Sequence, residues 1–285
     1  MKRIKVLAPL ALVACAIAGW GAASASATLP ELGRCVLTTG VVEGKHTKYS
    51  GAFSDPNCVR VNTKHAGKYE WTPGPGAKNK FVGFGLEPTP TIQTTSGEKI
   101  ICSSLSFTGE YTGPKAATVK AVLFSGCEQG TLPCETVPTK EGEIEAPEAA
   151  LELGTVKGGA HPTVGWDMKR EGIVFAFQCG KAPEVRDTRT IEGSLIGSLK
   201  PGAELDVNRM SKTGILLYKQ KTGIQQIEAF EGGPKDVFTE TIFTGLSKTV
   251  EQAGVSTNLT IESGVNEKGV INPATQEPTE IKAVL

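Results

Sequence analysis

Alternation of apolar and polar side chains at every second residue recurs along this chain, and it narrows the available folds more than any other feature. Val255, Thr257, Leu259 and Ile261 alternate with Ser256, Asn258, Thr260 and Glu262, the signature of a strand with one buried face. Ile173, Phe175, Phe177 and Cys179 fall on one face of a second run, with Val174, Ala176 and Gln178 on the other. Ile101, Leu105 and Phe107 alternate with Cys102, Ser104 and Ser106, and the short apolar run 119–124 leads to Gly126. Further strands are expected at 191–199, 215–218, 238–243 and 280–285. The 34 glycines, and Thr, Val and Ile in short runs between Gly and Pro, favour tight turns over helices. The expectation is an all-β, mainly antiparallel sandwich or barrel-like domain. A helix is predicted only at 147–153, where Pro147 suits a first turn and Ala and Glu follow.

The chain opens with Lys2, Arg3 and Lys5, runs apolar through residues 6–21 and reaches Ala25-Ser26-Ala27. A basic start, an apolar middle and a small-residue exit predict a signal peptide cleaved after Ala27, and hence a secreted or cell-surface protein. A competing site is Leu12-Val13-Ala14-Cys15, which matches a lipoprotein cleavage pattern, but the residues after Cys15 stay apolar where a polar tether is normal. The apolar run of about 16 residues is short for a membrane span of about 20, and no membrane span is expected after cleavage.

Cys15 leaves with the leader, so six cysteines remain: Cys35, Cys58, Cys102, Cys127, Cys134 and Cys179. In an exported chain this even number predicts three disulfides, each stabilising by roughly 2–4 kcal/mol. The preferred pairing is Cys35 with Cys58, Cys127 with Cys134, and Cys102 with Cys179, out of the 15 that six cysteines allow. No Cys-x-x-Cys pair occurs, and His46, His65 and His161 lack zinc-ligand spacing, so no metal site and no cofactor are expected.

Three regions are expected: the leader 1–27, a small, loop-rich N-terminal cap 28–76 closed by a disulfide, and a β-rich main domain 77–285. The cap's end is marked by Tyr69-Glu70-Trp71 followed by Pro73-Gly74-Pro75-Gly76, which breaks any regular element. Loss of three basic residues with the leader leaves 27 basic against 30 acidic side chains, a net charge of −3. This balance offers no electrostatic footprint for nucleic acid.

No Gly-x-Ser-x-Gly elbow is present, and none of the three histidines has a triad context. Two acidic groups are candidates for paired-carboxylate hydrolysis of glycans: Glu141, Glu143 and Glu145, and Glu228, Glu231 and Asp236. The first reads more simply as the solvated face of an edge strand, and the second as a turn around Gly232-Gly233-Pro234. Tyr69 and Trp71 share a strand face beside Glu70, so they present a flat apolar platform for sugar rings next to a hydrogen-bond acceptor. The plainer reading is that Trp71 anchors the cap to the main sheet.

Gly33-Arg34-Cys35, Cys58, Tyr69-Glu70-Trp71, Gly109-Glu110-Tyr111-Thr112-Gly113, Gly126-Cys127, Cys179-Gly180 and Phe230-Glu231-Gly232-Gly233-Pro234-Lys235 together resemble an uncharacterised family of exported, cysteine-containing proteins of soil actinobacteria. The resemblance spans most of the mature chain and implies export and a Gram-positive source, but no activity. The chain departs from it at 146–167, which reads as a variable loop. The leading expectation is a non-catalytic secreted or cell-surface β-protein that binds a cell-envelope component or polysaccharide or serves structurally. A secreted glycan hydrolase is the alternative.

Overall fold

The computed structural model describes residues 30–85, 87–157, 162–180, 187–199, 213–265 and 280–282. The leader, its cleavage point, Cys15 and His161 lie outside the described residues. Strands β1 (Glu31–Leu37), β2 (Val41–Glu43), β3 (His46–Lys48) and β4 (Tyr69–Pro73) form the N-terminal segment. There follow β5 (Lys80–Gly85), β6 (Thr91–Thr94), β7 (Lys99–Ile101), β8 (Ser104–Tyr111), β9 (Ala116–Ser125), β10 (Glu128–Gln129), β11 (Leu132–Glu135), β12 (Glu143–Ala146) and β13 (Ala149–Lys157). The remainder are β14 (Thr163–Cys179), β15 (Asp187–Leu199), β16 (Thr213–Tyr218), β17 (Gln220–Lys221), β18 (Ile224–Gln225), β19 (Phe238–Thr244), β20 (Ser247–Val265) and β21 (Glu280–Lys282). The fold is all-β. Among the described residues no helix is long and apolar enough to cross a membrane.

The antiparallel pairings return on themselves twice. One ring runs β20-β5-β8-β9-β13-β14-β15-β16 and back to β20, eight strands in all. The other runs β20-β6-β7-β10-β11-β14-β15-β19 and back to β20, again eight strands. The three long strands β14, β15 and β20 pass through both rings, so the expected barrel-like domain is two barrels stacked end to end. Closure gives each long strand partners on both edges, where an open sheet would leave unpaired N–H and C=O groups. Between the β16 and β19 sections of β20, the β17-β18 hairpin fills the gap: the Gln225 side-chain oxygen accepts from Val255 N–H at 3.0 Å.

Bulges shift the side-chain phase where the rings meet. Phe175, Phe177 and Cys179 face the core as the alternation predicts. Irregular register between Lys169 and Phe175, however, turns Val174 inward and leaves Ile173 exposed. A bulge opposite Thr108 and Gly109 likewise puts both Val119 and Val122 into the core. β7 and β8 are separate strands, and the break turns Cys102 inward and Ile101 out. The predicted helix at 147–153 is strand instead: Ala149, Ala150, Leu151 and Glu152 pair with residues 116–119 of β9. The expected variable loop at 146–167 is mostly β13 and the start of β14.

The disulfides are Cys35–Cys58, Cys102–Cys127 and Cys134–Cys179. Pairing of Cys127 with Cys134, and of Cys102 with Cys179, is therefore corrected. Cys127 and Cys134 do face each other across the β10-β11 hairpin, with Cys134 N–H donating to Cys127 O at 2.9 Å. Each is nevertheless bonded to the strand on its outer side, Cys134 to its direct cross-strand partner Cys179. The two bridges thus link neighbouring strands around the second ring.

Aromatic rings lie over glycines on the inner faces. Phe107 covers its cross-strand partner Gly83, and Phe81 covers Gly109. A Cβ added at Gly83 would come within 1.9 Å of the Phe107 ring, and one at Gly109 within 2.3 Å of the Phe81 ring. Gly83→Ala and Gly109→Ala are each expected to cost about 1–3 kcal/mol in urea unfolding through overpacking. A loss below about 0.5 kcal/mol at both sites would reject this account of the glycines.

Candidate functional site

The register of β1 with β4 sets the geometry of the N-terminal surface. Leu37 opposes Tyr69, Val36 opposes Glu70 and Cys35 opposes Trp71. Tyr69 and Trp71 therefore share one face with Leu37, and Glu70 lies on the other with Val36. The indole N–H of Trp71 donates to the Glu31 carboxylate, and the ring rests against Gly33, where an added Cβ would lie 2.4 Å from Cζ2. Both aromatic side chains are half-buried, and Leu37 is 59% exposed. The Glu70 carboxylate accepts the Ala52 N–H at 2.8 Å, so it is occupied on the opposite face. The acidic group beside the indole is Glu31, forty residues earlier in the sequence, which strand alternation around Trp71 has no means of revealing.

Two further devices stiffen this surface. The Asp55 carboxylate accepts N–H bonds from Asn57, Val59 and Arg60, forming a turn that the Cys35–Cys58 disulfide ties to β1. Burial works to raise the Asp55 pKa, but those N–H groups and the Arg60 charge outweigh it and hold it below the usual value. Leu32 is buried in the main core, donating its N–H to Pro114 O at 2.6 Å and accepting from Gly74 at 2.7 Å. The backbone of β21 pairs with the free edge of β1.

A second cluster lies inside the β19-containing ring, beside Phe177 and Ile191. Arg189 is 1% exposed, and its Nη1 donates to Glu240 and to Glu98, each at 2.9 Å. Its Nη2 donates to Gln129 at 3.0 Å. Burial opposes the Arg189 charge, and Glu240 and Glu98 more than offset that, raising its pKa. Burial pushes the Glu240 carboxyl up, against the pull of Arg189. Strand phase carries a signal for this cluster, since Arg189 falls two residues from the buried Ile191. Removal of the cation alone would leave Glu240 buried without its partner, so Arg189→Met is expected to cost about 3–5 kcal/mol. Arg189→Met with Glu240→Leu is expected to recover most of that loss in urea unfolding. Equal losses in the single and double variants would refute the pairing as the source.

The third cluster lies on the outside of the first ring, beneath residues 226–237. This segment is strapped down by Phe230 over Gly154, by Glu231 N–H to Thr155 O at 2.7 Å, and by Ser194 Oγ to the Asp236 carboxylate. Under it sits Asp167, 5% exposed, with Oδ1 buried and unpartnered and Lys169 Nζ 3.9 Å from Oδ2. Burial and then the Asp236 charge raise the Asp167 pKa from 3.8 to about 7, with Lys169 opposing and Glu152 adding. Of the acidic groups singled out in the sequence, Asp236 thus has a carboxylate neighbour, whereas Glu143 and Glu145 share one face of β12, paired along one edge with β9. His46 and His65 are exposed.

Because folded Asp167 keeps its proton to about pH 7 while the unfolded chain releases it near 3.8, the folded state binds more protons between those values. Stability conferred relative to the ionised form is full below about pH 4 and is lost as pH rises through 7. Asp167→Asn is expected to raise Tm at pH 8 and to flatten the decline between pH 4 and 8. An unchanged pH profile would show that Asp167 ionises freely in the folded chain.

Comparison with family models, with curated proteins and with solved structures finds no match to this chain.

Proposed function

We propose that the chain is a non-catalytic, exported binding protein that engages a cell-envelope polymer or an external polysaccharide through the β1-β4 face. The observation that carries this reading is the fixed indole of Trp71. Held at its N–H by Glu31 and backed by Gly33, it shares a face with Tyr69 and the exposed Leu37. A rigid aromatic surface loses little entropy on contact, and apolar sugar faces suit it. The leader pattern and three disulfides support an extracytoplasmic setting.

One observation favours a glycan hydrolase as a second reading. Asp167 and Asp236 are interacting carboxyls in different surroundings, one buried with a raised pKa and the other accepting from Ser194, which is how acid and base roles separate in such enzymes.

Purified mature protein incubated with peptidoglycan and with several insoluble polysaccharides tests both. Retention on at least one polymer is expected, reduced at least tenfold by Tyr69→Ala with far-UV circular dichroism unchanged. Tyr69 is preferable to Trp71 because the latter anchors the segment. Release of soluble sugars that Asp167→Asn abolishes would replace the binding reading with the hydrolytic one. No retention and no release would reject both.

A further inference from the structure

The first ring encloses a cavity of about 50 Å³ whose walls are almost entirely aliphatic and aromatic. It belongs to neither the β1-β4 face nor the Asp167 cluster. Its polar exceptions are Thr257 and Tyr218, which are direct cross-strand partners on β20 and β16. Thr257 is 1% exposed, and its hydroxyl has no hydrogen-bond partner. Buried hydroxyls are normally satisfied, and elsewhere in the core the rule holds: Tyr111 and Ser263 hydroxyls bond each other at 2.7 Å. A buried hydroxyl opening onto an apolar chamber is therefore an unusual arrangement, and it defines a chemical preference.

We infer that this chamber is a binding site for a small neutral molecule consisting of a short alkyl group and one hydroxyl or carbonyl oxygen, with that oxygen bonded to Thr257. The size follows from the volume. An apolar cavity of about 150 Å³ holds benzene, so this chamber admits at most a few non-hydrogen atoms. The apolar walls exclude an ion, which would lose its hydration without compensation. They equally disfavour a molecule with several polar atoms, because Thr257 and Tyr218 supply few partners. A ligand of four heavy atoms binds no tighter than about 40 µM even at the best efficiency known for small ligands, so the site suits an abundant short-chain alcohol or ketone.

Propan-1-ol and xenon are the probes, followed by methyl resonances in NMR titrations of the mature protein and of Thr257→Val. Valine matches threonine in shape but lacks the hydroxyl, so the variant keeps the chamber and removes its bonding group. Methyls of Leu105, Val119, Leu151 and Leu259 are expected to shift saturably with propan-1-ol, while those of the exposed Val41 and Val42 drift linearly. Thr257→Val is expected to weaken propan-1-ol binding about tenfold, to leave xenon binding unchanged or tighter, and to raise Tm through loss of the unpaired hydroxyl. Linear drift at every methyl would show a packing void and overturn the site. Equal propan-1-ol affinity in both proteins would overturn the role of Thr257 and with it the inferred ligand class.

Discussion

Closure of the hydrogen-bond ladder is the constraint on which the other features rest. β20 is 19 residues long and β14 is 17, lengths at which an unpaired edge would present many unsatisfied backbone groups. Neither strand can be served by one partner per edge. β20 therefore takes β19 and then β16 along one edge, with β6 and then β5 along the other. At one change of partner the Gln225 side chain substitutes for a strand at Val255, and within the continuous β14-β15 pairing glycines at 172 and 193 with positive φ accompany the bulge. Long strands and short ones thus follow from a single requirement, that two closed rings share three staves.

Closure also explains the pairing of scarce aromatics with abundant glycine. A small barrel has room for a large ring only where the facing position carries no side chain. Gly83 with Phe107, Gly109 with Phe81 and Gly197 with Tyr218 follow this rule inside, as does Gly154 with Phe230 outside. The contact of Trp71 with Gly33 repeats it on the β1-β4 face. The same packing device therefore serves the core, the strap over Asp167 and the proposed binding surface.

Individual strands were legible where alternation is unbroken. Residues 255–261 alternate as the chain is written, and their odd-numbered members face the core. Legibility failed at bulges, since one extra residue exchanges the faces, as at Ile173 and Val174. It failed again at residues 149–152, where the modest helix preference of Ala and Glu is outweighed by pairing on both edges of β13 with β9 and β14. Disulfide partners depend on which strands neighbour each other, and that order is non-local: Cys134 lies seven residues from Cys127 but is bonded 45 residues away. The candidate surface was legible as a pair of aromatics on one face. The group that holds the indole, Glu31, was not, because its proximity arises from the β1-β4 pairing alone.

The two rings differ in what is added to a shared apolar core. In the β19 ring Arg189, Glu240, Glu98 and Gln129 form a polar network set among the buried Phe177 and Ile191, and its Glu98 end reaches solvent. Such an interior is directional: each group demands a particular partner, and small displacements are costly in a low-dielectric setting. In the β16 ring the filling is apolar and imperfect, with Met168 packed at its margin and a chamber in its midst. Apolar packing is tolerant of small changes in volume and Met is adaptable. The rigid ring lies with the two disulfides of the barrel, and the adaptable one lies without any. Covalent and ionic restraint is thus concentrated at one end of the shared strands. The apolar chamber lies toward the other.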